Sequence, residues 1–504
     1  MNLTSKQYHQ ETSYQRNKMG GHVLDWENQP MVFKIYQGVI PIHLPKEVKF
    51  PETTLCTLFK KFHAKKETPS KLTIEDLSCI FMLTYGLTAK ARHTSGEFYY
   101  RNAASAGALY PTEIYVSTRN VKGLEDGLYH FSIAHHGLCL LRRGNLSPWI
   151  LKAAQPPHTK SPMLLFFFSA IFFRSAWKYR DRAYRYHLLD TGHVLDNLIL
   201  AFKALDLPCT LSYNFDDNEI NRILGLDDSK EVCLAIAQIP GPSPAQDKTE
   251  GEIDEIPNRM KTASRVAHKE IDYLSIRDIH LAGVKSLLQS KPTTQMRHEL
   301  GINPDTWSKI DNSGTWPETT GYAETVFRRR SRRNFVPESM PQGSLSALLE
   351  ALSKTDSEER STQSNYHQSV STGFLIGRAK SFEPGFYLLD SFSGSYGIIS
   401  REPIIDSMAH ICLDQTWLAN AAVHFVFLTN LQNLDRVWGA RGYRYAMMTA
   451  GRMGERIYLA AEAMGLGCCG IGAFYDSEAA EILGLNAESR LLYLVAVGAV
   501  KAKR

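Results

Sequence analysis

The chain has 504 residues, 43% of them hydrophobic and 22% charged, with a net charge of +5. That is too long for one ordinary core, which predicts two or more domains, and too weakly basic for a nucleic-acid-binding surface. Its eight cysteines show no paired metal-ligand spacing and read as reduced, buried thiols. The polar start, Met1 to Gln7, has no apolar signal core. The greasiest run, Met163 to Phe173, is about half of the roughly 20 residues a spanning helix needs. Together these predict a cytoplasmic protein without a membrane anchor.

Pro30, Pro41, Pro45 and Pro51 break any long element in the opening residues, so residues 1–50 read as an extension wrapped on a larger body. Thr73 is placed to cap a helix, with Asp76 in the reciprocal position. Small residues then run from Ala103 to Ala108, followed by Tyr110-Pro111 and an alternating segment to Val116. Small side chains let a backbone approach a flat ligand, and Gly107 removes the last steric bar. A cradle for a planar cofactor and a plain tight turn before a strand both fit this stretch. Strands are expected at Ile114–Thr118, Gly127–Phe131 and Leu164–Phe168. An amphipathic helix follows, at roughly Arg185–Leu205.

The chain also repeats itself. Arg182-Ala-Tyr184-Arg185-Tyr186 recurs as Arg441-Gly-Tyr443-Arg444-Tyr445, and the same offset pairs Gly192 with Gly451, Cys209 with Cys468 and Phe215 with Phe474. The register holds for about forty-five residues without a gap. This gives two related domains, 51–240 and 317–504. Between them lies a polar linker, 241–316, with a short helix expected around Ile279–Leu288. Two copies in one chain suggest a fused homodimer: an internal pseudo-dimer that acts alone as a chain or builds larger homo-oligomers.

The copies have decayed differently. Arg328 to Arg333 holds five arginines around Ser331 before Phe335, a pattern suited to clamping phosphate and also to a solvated basic run. Its first-copy counterpart, Lys61-Phe-His-Ala-Lys65, has lost the pattern. The Ser105–Pro111 stretch has in turn decayed in the second copy, near Gln363–Gln368. Gly470 and Gly472 offer close backbone approach that the first copy lacks, and Lys501 and Lys503 add positive charge at the tail. A ligand touching both domains, with one of two original sites kept, accounts for this complementary loss.

The motifs Arg101-x-x-x-Ser-Ala-Gly-Ala-Leu-Tyr-Pro-x-Glu-x-Tyr and Lys178-Tyr179-x-x-Arg182-x-Tyr184-Arg185-Tyr186, with Gly192-His193, resemble the SagB/ThcOx-type dehydrogenases. These belong to the nitroreductase-like flavoproteins. Tyr8-His9-x-x-Thr12 and Arg329-Arg-Ser-x-Arg-x-Phe335 agree with that likeness. The resemblance implies an α+β fold, an antiparallel sheet flanked by helices in each of two tandem domains, with FMN held at a two-fold interface. It implies that Arg329, Ser331 and Arg333 hold the cofactor's phosphate and ribityl chain, and Arg330, Lys501 and Lys503 are read as further cations for that anionic side. Arg101, Ser105, Ala106 and Gly107 come to it from the other domain, and Gly470 and Gly472 lie near its ring.

The resemblance further implies oxidation of a thiazoline or oxazoline in a small-molecule or peptide-derived substrate. Lys178 and Tyr179 are then the catalytic pair, and Val437-Trp438 stands at their place in the second copy. A lysine base must lose its proton, which its free pKa of about 10.4 opposes, so burial or the nearby Arg174, Arg180 and Arg182 must depress it. His193 either pairs with Asp190 or packs. Two other functions remain open: an NAD(P)H-dependent nitro or quinone reductase, and a flavin-free binding or scaffold protein.

Overall fold

Each of the two copies builds a seven-stranded, wholly antiparallel sheet. The computed structural model describes residues 3–60, 71–93, 96–154, 160–244, 253–284, 294–311, 316, 319–353, 365–380 and 382–501. The elements used below are α1 (Ser5–Glu11), β1 (Ile42–His43), α2 (Ile74–Tyr85), β2 (Thr112–Thr118), β3 (Gly127–Ser132), β4 (Gly137–Arg143), β5 (Lys160–Ile171), α3 (Phe172–Tyr179), α4 (Ala183–Ala204), β6 (Thr210–Ser212) and β7 (Glu231–Pro244). They continue as β8 (Ser308–Lys309), α5 (Gln342–Ser353), β9 (Ser371–Ile376), β10 (Gly385–Asp390), β11 (Ser395–Ser400), β12 (Val423–Asn430), α6 (Leu431–Trp438), α7 (Arg441–Ala463), β13 (Gly467–Ile471) and β14 (Ser489–Gly498).

The first sheet runs β1-β4-β3-β2-β5-β7-β6 and the second β8-β11-β10-β9-β12-β14-β13, the same order shifted by seven strands. The offset of 259 residues from Arg182 to Arg441 also carries the end of α4 onto the end of α7 (Ala204 to Ala463). Left-handed backbone recurs at the same offset, at Asp206 and Gly465 and at Gly225 and Gly484. The chain forms two compact units: Val23–Pro51 with His63–Arg277, and Met1–His22 with Glu52–Phe62 and Asp278–Arg504. Edge strand β8 comes from the stretch read as linker, and the linker helix spans Leu274–Val284.

The middle of β5, Met163 to Phe168, is apolar without a break because both its faces are covered. Leu165 and Phe167 of β5 point into a core completed by Ile220, Ile223 and Leu224. Phe166 points the other way, 5.6 Å from Phe81 of α2 and 5.6 Å from Phe202 of α4. The Thr73 cap forms as expected: its hydroxyl accepts from the Asp76 amide at 3.2 Å while Asp76 accepts the Thr73 amide at 2.9 Å. All eight cysteines are free. No helix among the described residues is long and apolar enough to cross a membrane.

Candidate functional site

In the first unit the small-residue stretch folds as a tight turn, Ala106–Ala108, leading into β2. Gly107 has φ +64°, and its neighbours Ala108 and Tyr110 are also left-handed at 54° and 49°. A backbone this irregular needs outside support, and α4 supplies it. The Ser105 hydroxyl donates to Asp190 at 2.6 Å, the Ala106 amide donates to the same carboxylate at 3.2 Å, and the Tyr110 amide donates to Ser105 Oγ at 2.9 Å. Burial pushes the Asp190 carboxyl up to about 7, against the opposing pull of Ser105, Ala106 and the buried His193 one turn along. In the second copy Thr449 stands where Asp190 does and reaches the equivalent turn, its hydroxyl 3.5 Å from the Tyr366 carbonyl.

Lys178 and Tyr179 end helix α3, both half-buried. They come to the same turn. A Cβ built on Gly107 would lie 2.8 Å from the Tyr179 hydroxyl and 3.4 Å from Lys178 Nζ. Tyr179 packs on Tyr186 of α4 at 4.3 Å between ring centroids, and Lys178 Nζ is 5.4 Å from the Tyr179 ring. Two motifs some seventy residues apart in sequence thus meet at one glycine.

Arg174, one of the cations expected to act on Lys178, is already neutralised. It donates to Glu113 at 2.5 Å and to the Tyr110 carbonyl at 2.9 Å, bracing the turn from behind. Burial raises the Glu113 carboxyl, but Arg174 and His130 outweigh it and hold the group at about 2. Arg101 packs against the same turn. It is 1% exposed, donates to the Val32 carbonyl at 2.7 Å and sits 4.6 Å from each of the Tyr85 and Tyr110 rings. A guanidinium closed off this fully frames the turn.

In the second unit the arginine cluster lies between Tyr322–Arg328 and Phe335, beside β13. Ser331 and Arg333 are exposed, Arg330 and Arg332 half-buried, and Arg329 nearly closed off over the Tyr458 ring at 5.3 Å. Tyr458 of α7 ties the cluster to β13. Its hydroxyl lies 3.0 Å from Ser331 Oγ and accepts the Gly470 amide at 2.6 Å. A Cβ on Gly470 would fall 1.8 Å from the Tyr493 hydroxyl, so the glycine is required by packing as well. Half-buried Gly472 follows on the same strand's exit. The exposed Lys501 is held by its amide to the Asn334 carbonyl at 3.2 Å; Lys503 lies outside the described residues, as do Lys61–Lys65 and Gln363–Ser364. An accessible serine among guanidinium forks is the donor set a phosphate monoester calls for, so these residues fit the anionic side of FMN.

Sequence reasoning did not single out Tyr458 or the bracing role of Glu113. The repeat holds a signal for Tyr458, since the same offset places Ile199 at its position in the first copy.

The description "Nitroreductase family" matches residues 65–238 and 326–499, once in each copy. The chain is 31% identical over 201 residues to the protein MJ1384 of Methanocaldococcus jannaschii, covering 96% of that protein and 39% of this chain. It is 28% identical over 180 residues to the trifolitoxin-processing protein TfxB of Rhizobium leguminosarum bv. trifolii, which covers 34% of this chain and about half (48%) of that relative. A crystal structure of a protein from Anabaena variabilis aligns along 99% of this chain and 100% of its own, with 25% identity and a TM-score of 0.76.

Proposed function

The chain belongs to the nitroreductase family, with two family domains in tandem, and we propose that it is an FMN-dependent oxidoreductase of the SagB type that dehydrogenates an azoline ring in a small-molecule or peptide-derived substrate. The observation that carries this reading is the meeting of Lys178 and Tyr179 at Gly107 in the first copy. The same helix end in the second copy bears Val437 and Trp438, which hold no proton to exchange at neutral pH. A nitroreductase working only between a nicotinamide and a flavin has no use for a lysine–tyrosine pair. Likeness to a trifolitoxin-processing protein supports a peptide-derived substrate.

In this proposal Ser331, Arg330 and Arg333 would hold the FMN phosphate, with Arg329 buttressing Tyr458 behind them and Lys501 adding charge. Gly470 and Gly472 leave room along one strand of the same unit, and in the first unit Ser105, Ala106 and Gly107 form the cradle beside Lys178 and Tyr179. When bound, FMN supplies a two-electron acceptor for hydride. The chain's own residues manage the accompanying proton. Lys178 Nζ, as the free amine, takes it from the ring carbon, and the Tyr179 hydroxyl fixes the geometry of the pair. The absence of a Cβ at Gly107 keeps both side chains in place.

The test is a purified protein assayed with a methylated thiazoline and, separately, with NAD(P)H and a nitroaromatic. One FMN per chain and azoline oxidation are expected. Lys178→Ala should lower that oxidation by roughly 10²–10⁴-fold. Nitroaromatic reduction that is indifferent to Lys178, with no azoline consumed by the unsubstituted protein, would leave the nitro or quinone reductase as the function. A colourless protein that cannot be reconstituted with FMN would refute both.

A further inference from the structure

Arg180 follows the Lys178–Tyr179 pair directly and stands at φ 49°, ψ −135°. L-residues avoid this region because the Cβ crowds the backbone, and only glycine enters it freely. The second copy shows the same backbone built without strain: at the 259-residue offset, after α6, stands Gly439 at φ 59°, ψ −161°. Of the two other left-handed positions that recur at this offset, the pair at 225 and 484 is glycine in both copies. The pair at 206 and 465 exchanges glycine for aspartate, a residue that tolerates the conformation. Arg180 alone places a long side chain where its copy uses glycine.

The fold gets nothing in return among the described residues. Arg180 is exposed, and its guanidinium makes no hydrogen bond or ion pair there; its charge is felt by Tyr273. The neighbours are occupied: Asp181 accepts the Ser275 hydroxyl, and Arg182 is buried. A side chain that strains the backbone without bonding to the protein is retained for something outside the protein. Its position, one residue beyond the pair proposed to act on the substrate, assigns that something to the substrate.

We propose that Arg180 is a specificity-determining residue that binds an anionic group, a carboxylate, on the substrate as it enters beside Lys178 and Tyr179. This rests on the proposed azoline reading for the identity of the molecule. The match is one of charge and shape: a guanidinium fork offers paired donors to the two oxygens of a carboxylate.

The probes are 2-methylthiazole-4-carboxylate and its methyl ester, titrated against the flavin-loaded protein by calorimetry, so that binding is read without turnover. The unsubstituted protein should bind the acid at least ten-fold more tightly than the ester. Arg180→Gly should raise the melting temperature by about 2–4 °C by relieving the strain. It should also cut affinity for the acid ten-fold or more, leave the ester within two-fold, and retain FMN. Arg180→Lys should recover part of the preference. Equal binding of acid and ester by the unsubstituted protein would overturn the assignment, and so would a lower melting temperature in Arg180→Gly. Loss of FMN from that variant would move the anion to the cofactor and overturn it as well. If the acid is preferred through Arg180 but no azoline is oxidised, this inference stands and the azoline reading falls.

Discussion

Gly107→Ala separates the backbone role of the cradle from its contact with the proposed catalytic pair. Alanine at φ +64° costs about 1–2 kcal/mol from left-handed strain alone. The new methyl would also lie 2.8 Å from the Tyr179 hydroxyl and 3.4 Å from Lys178 Nζ, both far ends of side chains. To reach ordinary contact the hydroxyl must retreat by roughly half an ångström or more, which it does by tilting at small energetic cost. Displacement of that order in a proton-transferring pair lowers turnover by roughly 10- to 100-fold. Gly144→Ala is the control. It has φ +89°, lies in the same unit, and has nothing within 4 Å of the added carbon. Differential scanning fluorimetry should show similar destabilisation in both variants, and azoline oxidation should fall only in Gly107→Ala. Equal turnover in the two variants would refute the contact between the cradle and the pair.

Tyr458→Phe removes the hydroxyl shared by Ser331 and the Gly470 amide. At about 1–2 kcal/mol for the lost bonds, FMN affinity measured by fluorescence quenching should weaken by roughly 5- to 30-fold; unchanged affinity would separate Tyr458 from the clamp. Asp190 makes a pH prediction. Its carboxyl is raised by burial from 3.8 to about 7, so the folded protein holds this proton more tightly than the unfolded chain. The resulting stability is full below about pH 4 and lost as pH rises through about 7. Asp190→Asn should flatten urea-derived stability across that window, and an equally steep decline in the variant would refute the burial argument.

How much of this was legible depends on whether the signal is local. The Thr73–Asp76 cap involves four consecutive residues, and it forms as read. The long helices and central strands are set by hydrophobic periodicity, and the repeat doubled each of those signals. Arg101 illustrates the opposite case. Its motif places it beside the cradle, but the contacts that hold it come from Val32, Tyr85 and Tyr110, whose approach no spacing rule encodes. Arg174 misled for the same reason, since the charge attributed to it beside Lys178 is spent on Glu113, sixty-one residues away. The support of Ser105 by Asp190 crosses eighty-five residues. Asp190 was noticed only as a possible partner for His193.

The duplication supplies what a single copy withholds. Where two backbones coincide at a fixed offset, a difference in residue is a difference in chemistry rather than in fold. Lys178, Tyr179 and Arg180 against Val437, Trp438 and Gly439 mark one end of helix α3 as specialised in the first copy. Tyr458, Gly470 and Gly472 against Ile199, Leu211 and Tyr213 mark the end of β13 and the helix before it as specialised in the second. The two sets do not overlap: neither copy carries both the lysine–tyrosine pair and the arginine–serine run. Arg180 stands apart even within its set. Lysine and tyrosine fit an ordinary helix end, whereas arginine at this turn works against the backbone that glycine serves in the copy. Selection for fold alone would have favoured glycine at both places.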